Sequence, residues 1–160
     1  MNTVEISCEE VEPPEWLPRL TGFAEAALNR LELANWELSI VLSDDAFIRS
    51  LNREYRAKDE PTDVLSFLQE HEGESAPLPT AGTPDSPVPP RAVGDVVVSL
   101  ETVAANAARF EVAFGEELQR VVLHGILHLA GYTHSDNTAE QPMLQLQERI
   151  LSELAEEHAL

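Results

Sequence analysis

Between Arg120 and Ala130 the chain is apolar, has no proline, and carries histidines at 124 and 128. Arg120-Val121-Val122-Leu123 and Ile126-Leu127 predict a helix too apolar to lie on a surface, so it must pack into a core. Residues four apart share one face of a helix, which stacks His124 on His128. Gly131 falls where this helix should stop, because glycine takes a left-handed conformation at little cost and lets the chain reverse. The reversal matters for His134, which on a continuous helix would point away from the other two. Three neutral imidazoles bind a zinc-like ion and leave a fourth position open, as a catalytic rather than a structural metal does. Zinc is the default for an all-nitrogen donor set, and nickel or another first-row ion suits it too. The plainer reading is three core or surface histidines with no ion. It would fit one isolated residue better than three of the chain's five at ligand spacing. His71 and His158 lie in a polar stretch and an acidic tail, where solvated rings are expected.

The ligand spacing equals that of the metzincin proteases, HExxHxxGxxH. The position that carries the protease's general base is Gly125 here, and glycine moves no proton. The frame is therefore protease-like while peptidase chemistry lacks its base, and any acid–base group must come from elsewhere in the chain.

Residues 52–68 read Asn-Arg-Glu-Tyr-Arg-Ala-Lys-Asp-Glu-Pro-Thr-Asp-Val-Leu-Ser-Phe-Leu. Together with Gly94-Asp95-Val96-Val97-Val98-Ser99 and the run from His124 to His134, this segment closely resembles the YbeY family of bacterial rRNA-maturation metalloendoribonucleases. Its motifs occur in the same order over about half the chain. The resemblance implies an α+β domain with a mixed four-stranded sheet covered by helices and a zincin-like metal helix. It further implies His124, His128 and His134 as metal ligands and Arg56 as a catalytic residue beside the metal. Two positions depart from the family pattern. Leu68 replaces a proline, which bears on how a strand ends. Thr133 replaces the aspartate of Gly-Tyr-Asp-His, and threonine accepts a hydrogen bond but is no base; Asp136 is the nearest carboxylate to stand in.

Ten Lys and Arg against twenty-nine Asp and Glu give a formal net charge of −19, which repels nucleic acid at long range. Yet Arg49, Arg53, Arg56 and Lys58, the only lysine, fall within ten residues. This is the one concentration of cations suited to phosphate, with Arg53 and Lys58 as substrate-binding candidates around Arg56. A guanidinium grips two phosphate oxygens at once and stays charged; the competing reading is a solvated helix end, where the dipole favours cations anyway. So acidic a surface resembles that of proteins from salt-rich cytoplasm, where ionic strength screens self-repulsion.

A chain of 160 residues is expected to be one domain, 1–160, burying about 70% of its unfolded surface. No signal segment or apolar run of membrane length is present, and the lone Cys8 makes no internal disulfide, so a cytoplasmic protein is expected. Strands are predicted at 3–7, 37–42, 63–67 and 95–100. Helices are predicted at 15–33, from the Ser43-Asp44-Asp45 cap to about 55, and at 101–110, 115–130 and 141–157. Residues 69–92 hold six of the eleven prolines and are predicted as a flexible surface loop. With nine aromatics in the chain, base stacking should not dominate recognition.

The functional expectation is a metal-dependent, single-strand-specific endoribonuclease in 16S rRNA 3′-end maturation and ribosome quality control. Its partners would be rRNA and ribosomal particles rather than DNA or membrane. Two alternatives stay open: a metal-dependent hydrolase of another substrate, and a non-catalytic ribosome-assembly factor with a bound metal.

Overall fold

A computed structural model describes residues 2–68, 91–131, 142–155, 158 and 160. The elements run β1 (Thr3–Cys8), α1 (Leu17–Arg30), β2 (Trp36–Ser43), α2 (Asp45–Arg56), β3 (Val64–Leu68), β4 (Arg91–Ser99), α3 (Leu100–Phe110), α4 (Phe114–Leu129) and α5 (Pro142–Leu154). The sheet order is β1-β2-β4-β3. β1, β2 and β4 are parallel, and β3 runs antiparallel on the β4 edge. This is a single α+β domain with a four-stranded mixed sheet and five helices.

Alternation along the strands divides the sheet into two unequal faces. Leu38, Ile40 and Leu42 of β2 and Val96 and Val98 of β4 join Leu20, Phe23, Leu118, Leu123 and Leu127 in the main core. The other face holds a small cluster in which Ile48 of α2 packs on Leu65 and Val97. The helix of the sequence argument, α4, lies on the thick side of the sheet against β4 and the edge strand β3.

Local chemistry sets the element ends. Asp44 caps α2, its side chain accepting from the Phe47 N–H, as its sequence context predicts. Ser99 ends β4 and caps α3, accepting from Thr102 N–H while its own hydroxyl donates to Asp45 at 2.6 Å. The ends of β4, α2 and α3 are tied together there.

Two expectations are corrected. Arg91 and Ala92, assigned to the loop 69–92, begin β4, whose ladder on β2 starts at the Trp36–Arg91 pair. The register shifts between Glu37 and Leu38, so Val93 is the extra residue of a bulge. That bulge lets Val93 and Val96 face one core and erases the two-residue period by which a strand is read. Residues 69–90 lie outside the described residues. His158, expected to be solvated, is half-buried with its ring facing Gly22 of α1, because the Gln119 side chain on α4 donates to its backbone carbonyl.

No helix among the described residues is long and apolar enough to cross a membrane. The net charge of −19 leads to a direct expectation about stability. Between about 0.1 M and about 1 M monovalent salt the Debye length falls from roughly 10 Å to 3 Å. The melting temperature should rise across that range as self-repulsion is screened. A matched series in a neutral osmolyte separates screening from surface exclusion. Equal stabilisation by both would remove the salt-adapted reading of the surface.

Candidate active site

α4 opens at Ala113 with Glu116 and Glu117 in its first turn, where carboxylates suit the positive end of the helix dipole. Two and three turns later it presents His124 and His128, both half-buried. Their rings stand nearly edge-on, centroids 4.6 Å apart at 77°, and their Nε2 atoms are 3.0 Å from one another. After Ala130 the chain turns at Gly131, with φ +95 and its N–H bonded to the His128 carbonyl at 3.0 Å. This is the left-handed stop that the sequence demanded. His134 lies outside the described residues, as do Thr133 and Asp136.

Gly125 sits between the two histidines and faces the sheet. A Cβ there would lie 2.7 Å from Cγ1 and 3.1 Å from Cγ2 of Val96. The helix can approach β4 this closely only with glycine at 125.

The histidines line a cleft of about 610 Å³. Asp63, just before β3, and Val64 and Ser66 of β3 form one wall, and α4 and α5 form the other. Arg56, in the last turn of α2, reaches into the same cleft, its guanidinium donating to the Ser66 carbonyl at 3.2 Å. Ala57 closes α2 in a left-handed conformation. Buried Asn52 then holds the following turn, its amide donating to the Glu60 carbonyl at 2.9 Å.

The cation patch divides. Arg49 makes a two-pronged pair with Asp59, at 2.8 and 3.2 Å, and Arg53 approaches the same carboxylate at 4.0 Å. The hydrogen bond from Arg49 holds Asp59 below the usual carboxylate range, its charge and that of Arg53 adding to the effect against a desolvation penalty. Lys58 is exposed. Neither Arg53 nor Lys58 lines the cleft, whereas Arg56 does.

Several residues in the cleft were not anticipated. Arg120, one turn before His124, lines it together with Glu117 and Gln147. Arg120 donates to Glu117 at 2.9 Å and to both oxygens of Glu148 on α5, at 2.9 and 3.0 Å. Its pKa is raised, first by the Glu148 hydrogen bonds, against desolvation and with help from Glu117. For Glu148, burial alone pushes the carboxyl up, but hydrogen bonds from Arg120 and Gln147 and the Arg120 charge outweigh it, so the net shift is down. Gln147 is buried in a stripe otherwise made of Met143, Ile150, Leu151 and Leu154. A lone polar residue in that apolar stripe was the signal available in the sequence.

Two imidazole nitrogens bound to one first-row ion at about 2.0–2.1 Å sit roughly 3–3.4 Å apart. The His124 and His128 Nε2 atoms meet that condition as they stand, so the donors fit such an ion.

The fold and the sequence match a known class. The solution structure of TM1509 from Thermotoga maritima superposes with a TM-score of 0.63 at 27% identity, over 98% of this chain and 91% of that one. The family profile described as Endoribonuclease YbeY matches residues 4–155. A protein named Endoribonuclease YbeY from Treponema pallidum is 48% identical over 153 residues, 96% of this chain and 90% of its own length. One of the same name from Treponema denticola is 41% identical over 94% of this chain and 92% of its own. The chain belongs to the YbeY endoribonuclease family.

Proposed function

We propose that this protein is a metal-dependent, single-strand-specific endoribonuclease that acts in the cytoplasm on rRNA and ribosomal particles, in 16S rRNA 3′-end maturation and ribosome quality control. Family membership supports the endoribonuclease reading. The observation that carries the metal-dependent mechanism is the facing Nε2 pair of His124 and His128 in one cleft with Arg56. His134 would complete the ligand set. When bound, a zinc or similar ion supplies Lewis-acid polarisation of a phosphate oxygen, or a water of near-neutral pKa.

The chain's own residues do the rest. Arg56 is anchored through one guanidinium nitrogen on the Ser66 carbonyl, which leaves its other donors to grip a phosphate and stabilise the charge that builds there. Gly125 supplies no base, and Asp63 and Glu117 are the carboxylates presented by the described part of the cleft. Arg53 and Lys58 would meet the RNA outside it, and repulsion from the acidic surface favours an extended single strand entering the cleft over a duplex lying across the protein.

The test is product-end mapping on a defined 16S precursor carrying a single-stranded 3′ extension. Arg56→Ala should slow cleavage by about 10²–10³, the usual cost of one preorganised charged donor, with fold and metal content unchanged. Arg56→Lys should rescue poorly, because a point charge does not reproduce two parallel hydrogen bonds. Wild-type cleavage by Arg56→Ala would reject the mechanism, and cleavage of unstructured protein lost in His128→Ala would favour a protease.

A further inference from the structure

The Nδ1 atom of His124 lies 2.8 Å from Oε1 of Gln147. A glutamine amide has two faces, and its neighbours decide which end points where. The neighbour here is Glu148, whose carboxylate takes a hydrogen bond from the Gln147 NH₂ at 3.2 Å. An ionised carboxylate only accepts, so the amide nitrogen is committed to Glu148 and the amide oxygen to His124. Glu148 is fixed in turn by the two-pronged grip of Arg120, and Arg120 by buried Glu117. The chain of contacts crosses from α4 to α5 and back, and ends on one nitrogen of one histidine.

We infer that Gln147 is a positioning residue for His124. Held from behind by the Arg120–Glu148 pair, its carbonyl fixes the imidazole as the Nδ1–H form and aims the Nε2 lone pair at the point shared with His128. A neutral imidazole with its proton on Nδ1 has its free lone pair on Nε2. With the proton on Nε2, His124 would present a hydrogen where a ligand is needed, and the Gln147 oxygen would face a second lone pair. The Gln147 side chain is buried and sits at a core position of α5, so it has little freedom to turn away.

The ring half of the inference is independent of catalysis; the affinity half rests on the metal-dependent reading above. Both are tested on the full chain with histidine ring nitrogens labelled, first without metal at about pH 8.5, where a free imidazole is neutral, then titrated with zinc against a competing chelator. The wild type should show His124 protonated on Nδ1. Gln147→Leu should lose that signature and weaken zinc binding about 10–100-fold. A purely structural role would lower the melting temperature and leave the ring signature unmoved. If Gln147→Leu does not fold, Gln147→Asn decides, since one methylene fewer withdraws the carbonyl while keeping an amide, and both effects are again expected. A folded variant of either kind with wild-type ring signature and wild-type zinc affinity overturns the inference. Wild type that takes up no zinc, yet shows a Gln147-dependent Nδ1–H signature, would overturn the metal-dependent reading and uphold the hydrogen bond.

Discussion

Alanine at His124, His128 or His134 should remove the bound ion and RNA cleavage together. In the proposed site each imidazole would supply one of three nitrogen donors, and a methyl group supplies none. His124 and His128 converge on one point with their Nε2 atoms 3.0 Å apart, so neither can take over the other's position. The expected result is about one divalent ion per chain in the wild type, a stoichiometry near zero in each variant, and cleavage at background. Elemental analysis alongside product mapping checks it. A wild type that contains no metal and takes none up on titration would end the metal-dependent account.

Gly125→Glu, which writes the protease motif back into the helix, should cost the fold rather than confer a new activity. Its first side-chain atom already meets Val96 at 2.7 Å. Val96 is fully buried in the central strand β4, and a β-branched side chain has little rotamer freedom with which to yield. Gly125→Ala isolates that first atom. Helix propensity returns about 1 kcal/mol, and overpacking costs about 1–3 kcal/mol, so the net sign is unfavourable but small. Glutamate adds further atoms and a carboxylate against Val96 and Val64, at several kcal/mol more. At this chain length each kcal/mol is worth about 2–4 °C, so Gly125→Glu should melt at least about 10 °C below wild type, and Gly125→Ala only slightly below it. A glutamate variant as stable as wild type would mean the helix can lift off the sheet, and the close approach at 125 would lose its meaning.

How much of this was legible before the structure differs from residue to residue. Element positions were read within a few residues wherever a signal is local: the alternation in 36–43, the Asp44 cap, the apolar run of α4 with glycine at its end. β4 was read short because its bulge at Val93 breaks the period, and the partner that extends it, Trp36–Leu38, lies over fifty residues away. The His124–His128 stack follows from spacing alone, and Arg56 came from the resemblance rather than from spacing. Arg120 and Gln147 were missed because their partners are long-range. Arg120 meets Glu148 across 28 residues and Gln147 meets His124 across 23, and no local pattern encodes which helix will face which.

The thin side of the sheet has a consequence for how the molecule breathes. The histidine pair is embedded in the main core through α4, whereas Arg56 arrives from α2, whose apolar anchorage is little more than Ile48 on Leu65 and Val97 with Phe47 and Leu51 at the margin. At about 1.5–3 kcal/mol per buried aliphatic side chain, that anchorage falls well short of what holds α4. Local opening free energies within one domain run from near zero to the global value, and α2 belongs toward the lower end. The α2 helix can therefore detach, carrying the Arg56 guanidinium away from Ser66 on the β3 wall, while the two imidazoles stay in register on α4.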